Sequence, residues 1–422
     1  MVISNNRAAR QRSVPLRSDT AIAASTSAAP VRATASIRAA TSTPATASEY
    51  TELARAINAS GLMRRRYGYY WAKLIAVPLA FAAIIVAFVA IGNSWWQLAF
   101  AVVVAVVFTQ TAFLGHDAAH RQIFRSGRWN DWVSLILGDL FIGMSYGWWQ
   151  HKHTRHHANP NREGSDPDIE LPVIAVTRQQ AAAPRLPVVG WVMAHQGAFF
   201  FPILLLEGVS LHASSVRRVV QRGHLERRWA EVTFLSVRIV GYLTLVFLVL
   251  SPGIAFGFLG VQLGLFGLYM GASFAPNHKG MPIVPKELKL DFLRRQVLMS
   301  RNIRGGRFVD TAMGGLNYQI EHHLFPSMPR PHLRRAAPMI AEYCNAHGVP
   351  YTQTGLFQSY GIVLRYIDRV GLGEHDPFEC PLLTQRSDGS LLETGARSSR
   401  EAMPPRAAQP SESDSGSTSS RA

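Results

Sequence analysis

Two long runs without a charged residue constrain the fold of this chain more than any other feature. The chain is 48% hydrophobic, and these runs extend from Leu74 to Gly92 and from Trp95 to Gly115. Each is long enough to cross a hydrocarbon core of about 30 Å, which takes roughly 20 helical residues. A buried helix of a soluble protein usually carries a charged face. The runs therefore predict membrane-spanning helices.

The apolar pattern predicts four such spans, arranged as two hairpins. The first hairpin covers 72–92 and 95–115, and the second covers 233–251 and 254–275. Because the turns are so short, both ends of each hairpin must lie on one side of the membrane. Arginines and lysines flank these ends, whereas the two turns carry no charge. By the positive-inside rule, both termini and the long loops are expected on the cytoplasmic side.

Two further apolar stretches are predicted to lie along the membrane surface. Trp129–Trp149 is rich in tryptophan and interrupted by Asp131 and Asp139, which favours an interfacial helix. The stretch 197–206 is too short for a span, so we expect an interfacial or re-entrant helix there. The predicted fold class is an all-α integral membrane protein. It combines four spans, interfacial helices and a cytoplasmic helical cap.

Polar segments border this membrane domain at both ends. Residues 1–48 are rich in Ala, Ser, Thr and Arg, with Asp19 the only acidic residue, and residues 385–422 are polar. Such segments bury too little apolar surface to order themselves. The sequence therefore predicts disordered tails at 1–48 and 385–422 around a membrane domain at 49–384. A transit peptide, which has a composition similar to that of the N-terminal tail, is the alternative.

The net charge of +16 raises the question of a nucleic-acid partner. The basic residues lie in the tails and in the loops beside the apolar spans, and no nucleic-acid-binding module is visible. This distribution favours anionic lipid or an acidic protein. The two cysteines, Cys344 and Cys380, form neither a disulfide framework nor a zinc-binding spacing. Nucleic acid is therefore not an expected partner.

Glycines recur along one face of the fourth predicted span. They are Gly253, Gly257, Gly260, Gly264, Gly267 and Gly271. Alternating spacings of four and three residues leave one helix face almost without side chains. Such a face suits either close helix–helix packing or one wall of a tunnel for a straight acyl chain, and the sequence leaves both readings open.

Seven of the fifteen histidines fall in three short motifs. These are His116 and His120, then His153, His156 and His157, and then His322 and His323, which follow Gln319. Spacings of three and four residues place ring nitrogens on one helix face. Each motif follows a predicted membrane-associated segment on the same side of the membrane. We therefore expect the three motifs to meet and to bind metal.

The number of imidazoles bears on how many metal ions the motifs can hold. Seven are too many for one zinc ion, which usually takes four ligands, but they suffice for two ions with open positions. Imidazole suits zinc, copper, iron and nickel, so the type of ligand alone does not choose among these metals.

The motifs HxxxH, HxxHH and QxxHH resemble those of the membrane fatty acid desaturases. Flanking residues add to the resemblance: Gly115-His116-Asp117, Trp148-Trp149, Asn159-Pro160-Asn161, Asp166-Pro167-Asp168, Gly314 to Gln319, and His323 to Pro326. The Gln of the third motif is similar to that of the front-end and linoleoyl-CoA-type branch, which includes bacterial members. The resemblance covers about residues 50–384.

The resemblance implies two irons that activate O2 and remove two hydrogens from an acyl chain, leaving a cis double bond. The implied iron ligands and catalytic residues are His116, His120, His153, His156, His157, His322 and His323. His278, just beyond the fourth span, occupies the place of a further family ligand. The remaining histidines, at positions 151, 195, 212, 224, 332, 347 and 375, are expected to be surface or structural residues.

Five polar side chains beside the motifs are further site candidates. Gln319 is expected to line the site, with metal binding through its carbonyl oxygen, orientation of a ligand and contact with substrate as the open alternatives. Asp117 and Glu321 are expected to orient imidazoles from behind. Asp166 and Asp168 have the same expected role, and salt bridges to nearby arginines are their alternative.

Desaturation with O2 needs electrons from an external donor. The chain carries neither the His-Pro-Gly-Gly motif of a fused cytochrome b5 nor a glycine-rich nucleotide-binding loop. We therefore expect a separate ferredoxin- or cytochrome-type carrier, acidic enough to dock on the basic cytoplasmic face. The other expected partners are membrane lipid, O2 and an acyl-CoA or acyl-lipid substrate. The expected location is a bacterial cytoplasmic membrane, with the active site facing the cytoplasm.

Two other functions compete with desaturation. A hydroxylase or ketolase acting on hydrocarbons or carotenoids would use the same metal scaffold, but Asn317-Tyr318-Gln319 favours a desaturase. A metal transporter would place ligands within its spans. The predicted spans contain almost no ionisable residue, Arg238 being the exception.

Overall fold

The computed structural model describes residues 45–171, 173–183 and 186–373, and this part of the chain is mostly helical. The predicted tails lie outside it, apart from the start of a helix that begins at Ala45. Within the described residues, the assigned strands are Asn302–Arg304 (β1) and Gln353–Gly355 (β2), which pair in parallel. The prediction of an all-α protein is thus confirmed apart from this small pair.

The helices follow in chain order. They are α1 Ala45–Ala59, α2 Tyr67–Ile91, α3 Trp96–Ala119, α4 Gly127–Leu135, a π-helix Ile136–Ile142, α5 Tyr146–Ala158, α6 Arg178–Ala182, α7 Pro187–Ala194, α8 Gln196–Val220, α9 Arg228–Val249, α10 Pro252–His278, α11 Phe292–Leu298, α12 Gly306–Ala312, α13 Gln319–Leu324, α14 Arg330–Ala346 and α15 Leu356–Gly371.

Helices α2, α3, α9 and α10 coincide with the four predicted spans. Each is long and apolar enough to cross a membrane. The helices extend a few residues beyond most of the predicted bounds, because hydropathy marks only their apolar part. The turn between α2 and α3 is short, as is the turn between α9 and α10.

A fifth helix, α8, is also long and apolar enough to be a candidate span. The expectation that this stretch is too short was wrong, because the helix does not stop at Glu207 but continues for 25 residues in all. Polar side chains within it find partners on neighbouring elements. The His212 ring, for example, lies 3.1 Å from the carbonyl oxygen of Ile142. Hydropathy along the chain does not register such tertiary contacts.

Helix α8 packs closely against α10 through glycines of both helices. A Cβ atom on Gly267 would lie 2.2 Å from the backbone nitrogen of Gly208, and one on Gly208 would lie 2.1 Å from the carbonyl oxygen of Leu263. Gly264 and Gly271 face Leu205 and Leu204 of α8. Close packing against α8, rather than a tunnel wall, therefore accounts for the glycines in the C-terminal half of α10.

Helices α3 and α10 run side by side in the same direction. Phe108 stands beside Phe266, with ring centroids 6.4 Å apart, and Phe113 stands at the same distance from Phe274. Both helices therefore end at the same level. Their last turns carry His116 and His278, so this packing alone brings two histidine-bearing ends together.

A helical cap covers these ends and positions the third histidine motif. Helices α1, α11, α13 and α14 share one apolar core, formed by residues such as Leu53, Ile57, Leu293, Ile320 and Ile340. Tyr50 of α1 donates a hydrogen bond to the carbonyl oxygen of Leu324, at the end of α13. The cap thereby fixes α13 against the ends of α3 and α10.

Candidate metal centre

Local sequence explains how each histidine motif is presented. Ser145 begins α5 by accepting a hydrogen bond from the backbone nitrogen of Trp148, as an N-cap residue does. The helix then carries the second motif on one face. The third motif follows a turn in which Gly314 and Gly315 have φ of 60° and 79°. A side chain at Gly314 would collide with Phe113, with a Cβ only 2.3 Å from its ring.

The structure brings seven of the eight predicted histidines together in two groups. The first group consists of His116, His120, His153 and His322, and the second of His156, His278 and His323. Within each group the ligand nitrogens all lie within 4.8 Å of one another. Every member is buried except His120, which is half-buried. The three motifs therefore lie together in the structure, as the sequence predicts.

His157 lies between the two groups. Its Nε2 atom is 3.1 Å from Nε2 of His153 and 3.1 Å from Nε2 of His322, both members of the first group. Its ring also stacks on that of His323 of the second group, with centroids 4.2 Å apart. The two groups are thus adjacent and share one side chain at their border.

Burial and neighbouring imidazoles keep most of these rings neutral. Five histidines have a pKa well below the ordinary value of histidine, chiefly because they are buried and also because other imidazoles lie close by. They are His120, His153, His157, His322 and His323. A neutral imidazole carries one N–H and one lone pair. The cluster therefore presents many nitrogen lone pairs in a small volume.

In the second group, protein contacts determine which nitrogen carries the lone pair. Nδ1 of His278 lies 2.9 Å from the carbonyl oxygen of Met299, and Nδ1 of His323 lies 2.9 Å from Oε1 of Gln296. Nδ1 of His156 lies 3.0 Å from both carboxylate oxygens of Asp166. These oxygens accept hydrogen bonds, so each Nδ1 is the donor and each Nε2 faces the group interior.

The resulting arrangement favours a positive charge between the rings. Nε2 of His156 and Nε2 of His278 are 3.3 Å apart, and two lone pairs at that distance repel each other. Although burial acts to lower it, the carboxylates of Asp166 and Asp168 raise the pKa of His156. Both observations indicate that a cation is stabilised at this point. A metal ion with an affinity for imidazole fits the requirement.

Buried nitrogens without a partner lead to the same conclusion for the first group. Both ring nitrogens of His116 are buried and have no hydrogen-bond partner among the described residues. Nδ1 of His157 and Nδ1 of His322 are likewise buried without a partner there. Leaving buried polar atoms unsatisfied costs free energy. Coordination of a metal would satisfy at least one nitrogen of each ring.

Comparisons with known proteins agree with the histidine geometry. A sequence profile described as fatty acid desaturase matches residues 93–355. The chain is 29% identical over 346 residues to the acyl-lipid (9-3)-desaturase of Physcomitrium patens, covering 78% of this chain and 63% of that enzyme. It is 29% identical to the delta(6)-fatty-acid desaturase fat-3 of Caenorhabditis elegans, covering 77% and 75%.

The chain belongs to the membrane fatty acid desaturase family. Another relative, the delta(8)-fatty-acid desaturase 2 of Arabidopsis thaliana, is 24% identical, with 78% of this chain and 76% of that enzyme covered. The resemblance predicted from the histidine motifs is confirmed. The chain is accordingly an oxidoreductase of the desaturase type, with helices apolar enough to span a membrane.

Asp166 contacts an imidazole, and Asp168 lies beside the same ring. Asp166 bonds His156 and also accepts a hydrogen bond from the backbone nitrogen of Asn161, 2.7 Å away. Asp168 pairs with Lys152 at 2.7 Å and lies 3.4 Å from Nδ1 of His156. Although burial opposes it, Lys152 and His156 lower the pKa of Asp168. Among the described residues, neither Asp166 nor Asp168 forms a salt bridge with an arginine, so the alternative role does not apply.

Asp117 and Glu321 contact other partners than the imidazoles they were expected to orient. Asp117 pairs with Arg330 at 2.8 Å, and its carboxylate is 3.9 Å from Nδ1 of His116, too far for a hydrogen bond. Glu321 accepts hydrogen bonds from Asn302 and Tyr351, each at 2.7 Å. Burial raises the pKa of Glu321 to about 6. Both carboxylates thus link the motifs to side chains of other segments.

Gln319 lies at the edge of the second group. Its Nε2 atom is 2.9 Å from Nε2 of His278, and its Oε1 atom is buried without a partner among the described residues. An amide can be turned by 180° without changing its shape. Either its nitrogen or its oxygen can therefore face the interior of the group, as expected for a residue that lines the site.

The sequence analysis assigned no role to two residues that hold the site together. The buried Gln296 of α11 joins two motifs, because its Nε2 donates to the carbonyl oxygen of His157 while its Oε1 faces His323. Asn161, at φ 52°, donates from Nδ2 to the carbonyl oxygen of His278 at 3.1 Å. Gln296 lies outside any motif, and Asn161 belongs to the flanking Asn159-Pro160-Asn161 segment, which by itself indicated no contact with His278.

An apolar pocket reaches the first histidine group. Its empty space is about 480 Å³, part of which is open to the outside. Its lining includes Ala112, Phe113, His116, Gly138, Ile142, Ser145, Tyr146, Trp149, Met270 and Phe274. Gly138 and Ile142 belong to the π-helix, an element often found at functional sites. The pocket is therefore apolar and adjoins a histidine that belongs to a metal group.

The histidines outside the motifs lie apart from both groups, as expected. His151 is exposed, and His195, His212, His332 and His347 contact backbone carbonyl oxygens. His224 belongs to no metal-capable group of described residues. His375 lies outside the described residues.

Proposed function

We propose that the chain is an O2-dependent fatty acyl desaturase with two histidine-bound irons. His116, His120, His153 and His322 would hold one iron, His156, His278 and His323 the other, and His157 lies where it can serve either. A pair of irons supplies O2 activation and the removal of two hydrogens from adjacent saturated carbons. The observation that carries the proposal is the convergence of imidazole nitrogens in two adjacent groups.

We propose that the acyl chain occupies the pocket beside His116. The lining of Phe113, Trp149, Met270 and Phe274 is apolar and would exclude water from the reacting carbons. Ala112 stands one helical turn before His116, so a larger side chain there would fill the pocket. Ala112→Leu should abolish desaturation of long acyl chains while leaving the iron content unchanged. Undiminished product from that variant would exclude this pocket as the acyl site.

The substrate is an acyl chain carried on coenzyme A or on a membrane lipid, and the product a cis double bond. Relatives carry names for acyl-lipid substrates and for double bonds at positions 5, 6 and 8. The chain shares a similar degree of identity with several of them, so no single position is transferred. Fatty-acid profiling of a host supplied with several acyl precursors would identify the position directly.

Four spans, rather than five, agree best with the contacts at the two ends of α8. At its start, Gln196 bonds backbone groups of Ala175 and Ile367, near the histidine side. At its end, Arg228 at the start of α9 bonds the carbonyl oxygens of Val219 and Gln221. Because α9 and α10 form a tight hairpin, the start of α9 lies on the side where α10 ends, at His278.

We therefore propose that α8 lies with both ends on the histidine side, which is the cytoplasmic side of a bacterial membrane. The basic residues that flank the spans support this orientation. Single cysteines introduced at His195 and at Arg222 should both react with an impermeant reagent added to the cytoplasmic side. Labelling of the two positions from opposite sides would establish a fifth span.

We propose that a small acidic ferredoxin- or cytochrome-type protein delivers electrons near His157. Arg155, Arg162 and Arg295 surround this point and form no ion pair with a described carboxylate. Gln296 follows Arg295 directly and touches both His157 and His323. Carrier-driven turnover should fall with rising ionic strength, whereas turnover driven by a chemical reductant should not. Equal salt dependence of both would rule out charge-guided docking.

Replacement of His157 tests the proposed function most simply. In a host that lacks the activity, wild-type protein should yield a new unsaturated fatty acid and His157→Ala none, because His157 joins the two groups. The matched control is His151→Ala, which removes an exposed histidine of the same helix and should leave the yield unchanged. Wild-type yield from His157→Ala, or a hydroxylated product from the wild type, would contradict the proposal.

A further inference from the structure

Six arginines form one surface beside the first histidine motif. This arginine face consists of Arg64, Arg65 and Arg66, just before α2, Arg121 and Arg125, between α3 and α4, and Arg128, in the first turn of α4. All are exposed except Arg65, which is half-buried. The proposed docking point of the electron carrier, around His157, involves none of them.

The arginine face has almost no negative charge to balance it. Between residues 53 and 130 the chain has a single carboxylate, Asp117, and that side chain is buried against Arg330. The next carboxylate, Asp131, pairs with Arg227. In the described part of the chain, none of the six guanidinium groups forms an ion pair.

Contacts between the two segments hold these charges close together. Phe124 packs on both Tyr67 and Trp71, with ring centroids 6.4 and 5.7 Å apart. Burial lowers the pKa of Arg65, two tyrosines act against this, and the positive charge of Arg125 lowers it further. Like charges held together without a carboxylate favour an anionic ligand from outside the chain.

The position of the face relates it to the membrane surface. Trp71, Ile75 and Leu79 form an exposed apolar stripe along the first turns of α2, and the arginines begin where that stripe ends. Trp129 is 63% exposed beside Arg128. Exposed tryptophans next to arginines at the end of an apolar span are typical of the headgroup region. A site at this depth suits a lipid headgroup better than a water-soluble protein.

We propose that the arginine face binds the phosphates of anionic phospholipids. Guanidinium groups bind phosphate oxygens through paired hydrogen bonds, and six of them line one edge of the bundle. Bound lipid would hold the connection between α3, which carries His116 and His120, and α4, which leads to the pocket wall. This inference is independent of the reaction that the metal centre performs.

A lipid titration of delipidated, detergent-solubilised full-length protein tests the proposal. Phosphatidylglycerol should raise the thermal unfolding midpoint, and phosphatidylcholine should not. In the variant that combines Arg64→Gln, Arg66→Gln and Arg125→Gln, half-saturation should need at least about tenfold more phosphatidylglycerol, because each arginine contributes roughly a fivefold factor near an anionic surface. Turnover in phosphatidylcholine nanodiscs should be the same as that of the wild type.

A control variant with the same change in charge separates this site from general electrostatics. It combines Arg178→Gln, Arg307→Gln and Arg365→Gln, three exposed arginines away from the face, and should bind phosphatidylglycerol like the wild type. If the glutamine variant does not fold, lysines at the same three positions should preserve both fold and lipid response. Equal weakening in both triple variants would overturn the proposal. The proposal would also be overturned if the variant of the arginine face had a raised KM for the electron carrier and an unchanged response to lipid. The face would then be a docking surface for that protein.

Discussion

The two histidine groups are built from the same side chain but held in different ways. In the second group, the Nδ1 atoms of His156, His278 and His323 each have an acceptor from the protein. In the first group, Nδ1 of His116 and Nδ1 of His322 have no partner among the described residues. The second group is therefore oriented before any metal binds, whereas the first depends on helix packing and on the metal itself.

This difference predicts where substitutions behind the ligands will matter. An acceptor that fixes an imidazole sets its tautomer and its orientation, and its loss weakens metal binding. Such residues exist in the second group and can be removed one at a time. In the first group the nearest carboxylate, Asp117, supports Arg330 instead. Substitutions around the second group should therefore change metal affinity, and those around the first should change stability.

The largest effect should follow from removing a ring of the second group. His278→Ala removes the nitrogen that approaches both His156 and Gln319. We expect iron content to fall from two ions to one per chain and product formation to be lost. Metal analysis of the purified variant, beside His347→Ala as a control, measures the result. Retention of two irons with full activity would remove His278 from the site.

An intermediate effect should follow from removing the carboxylate behind His156. Asp166→Ala deletes the acceptor for Nδ1, and we expect metal affinity or turnover to fall by roughly 10–100-fold. Asp166→Asn keeps an oxygen acceptor and should recover part of the loss. A chelator competition assay gives the affinity.

Asp117→Asn is the matched substitution beside the first group. It leaves Arg330 buried without its partner, so we expect a lower unfolding temperature and unchanged iron affinity. If Asp117→Asn weakened iron binding as much as Asp166→Ala, the contrast between the two groups would be wrong.

The smallest effect should come from Gln296, which holds its imidazole with a neutral amide. Gln296→Leu removes the acceptor for His323 and the donor to the His157 carbonyl, and we expect iron affinity to fall by several-fold. Gln296→Glu keeps the acceptor and should bind iron more tightly than the leucine variant. Identical affinities in the two variants would show that the contact with His323 is not what matters.

The sequence predicted most of this architecture because its main features are local. Uncharged runs mark α2, α3, α9 and α10, and spacings of three and four residues mark the histidines. Helix α8 was predicted only as a short interfacial or re-entrant helix because Glu207 interrupts the apolar pattern. The polar His212 beyond it has its partner on the distant Ile142. Hydropathy along the chain cannot register a partner that is distant in sequence.

The residues behind the histidines were harder to predict for a geometric reason. Glu321 precedes His322 directly, and neighbouring residues on a helix point in different directions, so its carboxylate meets Asn302 and Tyr351 instead. The carbonyl oxygen of Met299 has no side-chain signature at all. Nothing in the sequence distinguishes Gln296 from the other glutamines, because only the packing of the cap helices places it beside the second and third motifs.

Anomalous scattering at the iron absorption edge, from crystals of the iron-loaded protein, tests the central claim most directly. The account predicts two iron peaks, one among His116, His120, His153 and His322 and one among His156, His278 and His323. A single peak, a peak away from these rings, or a signal at the zinc edge in place of iron would contradict it.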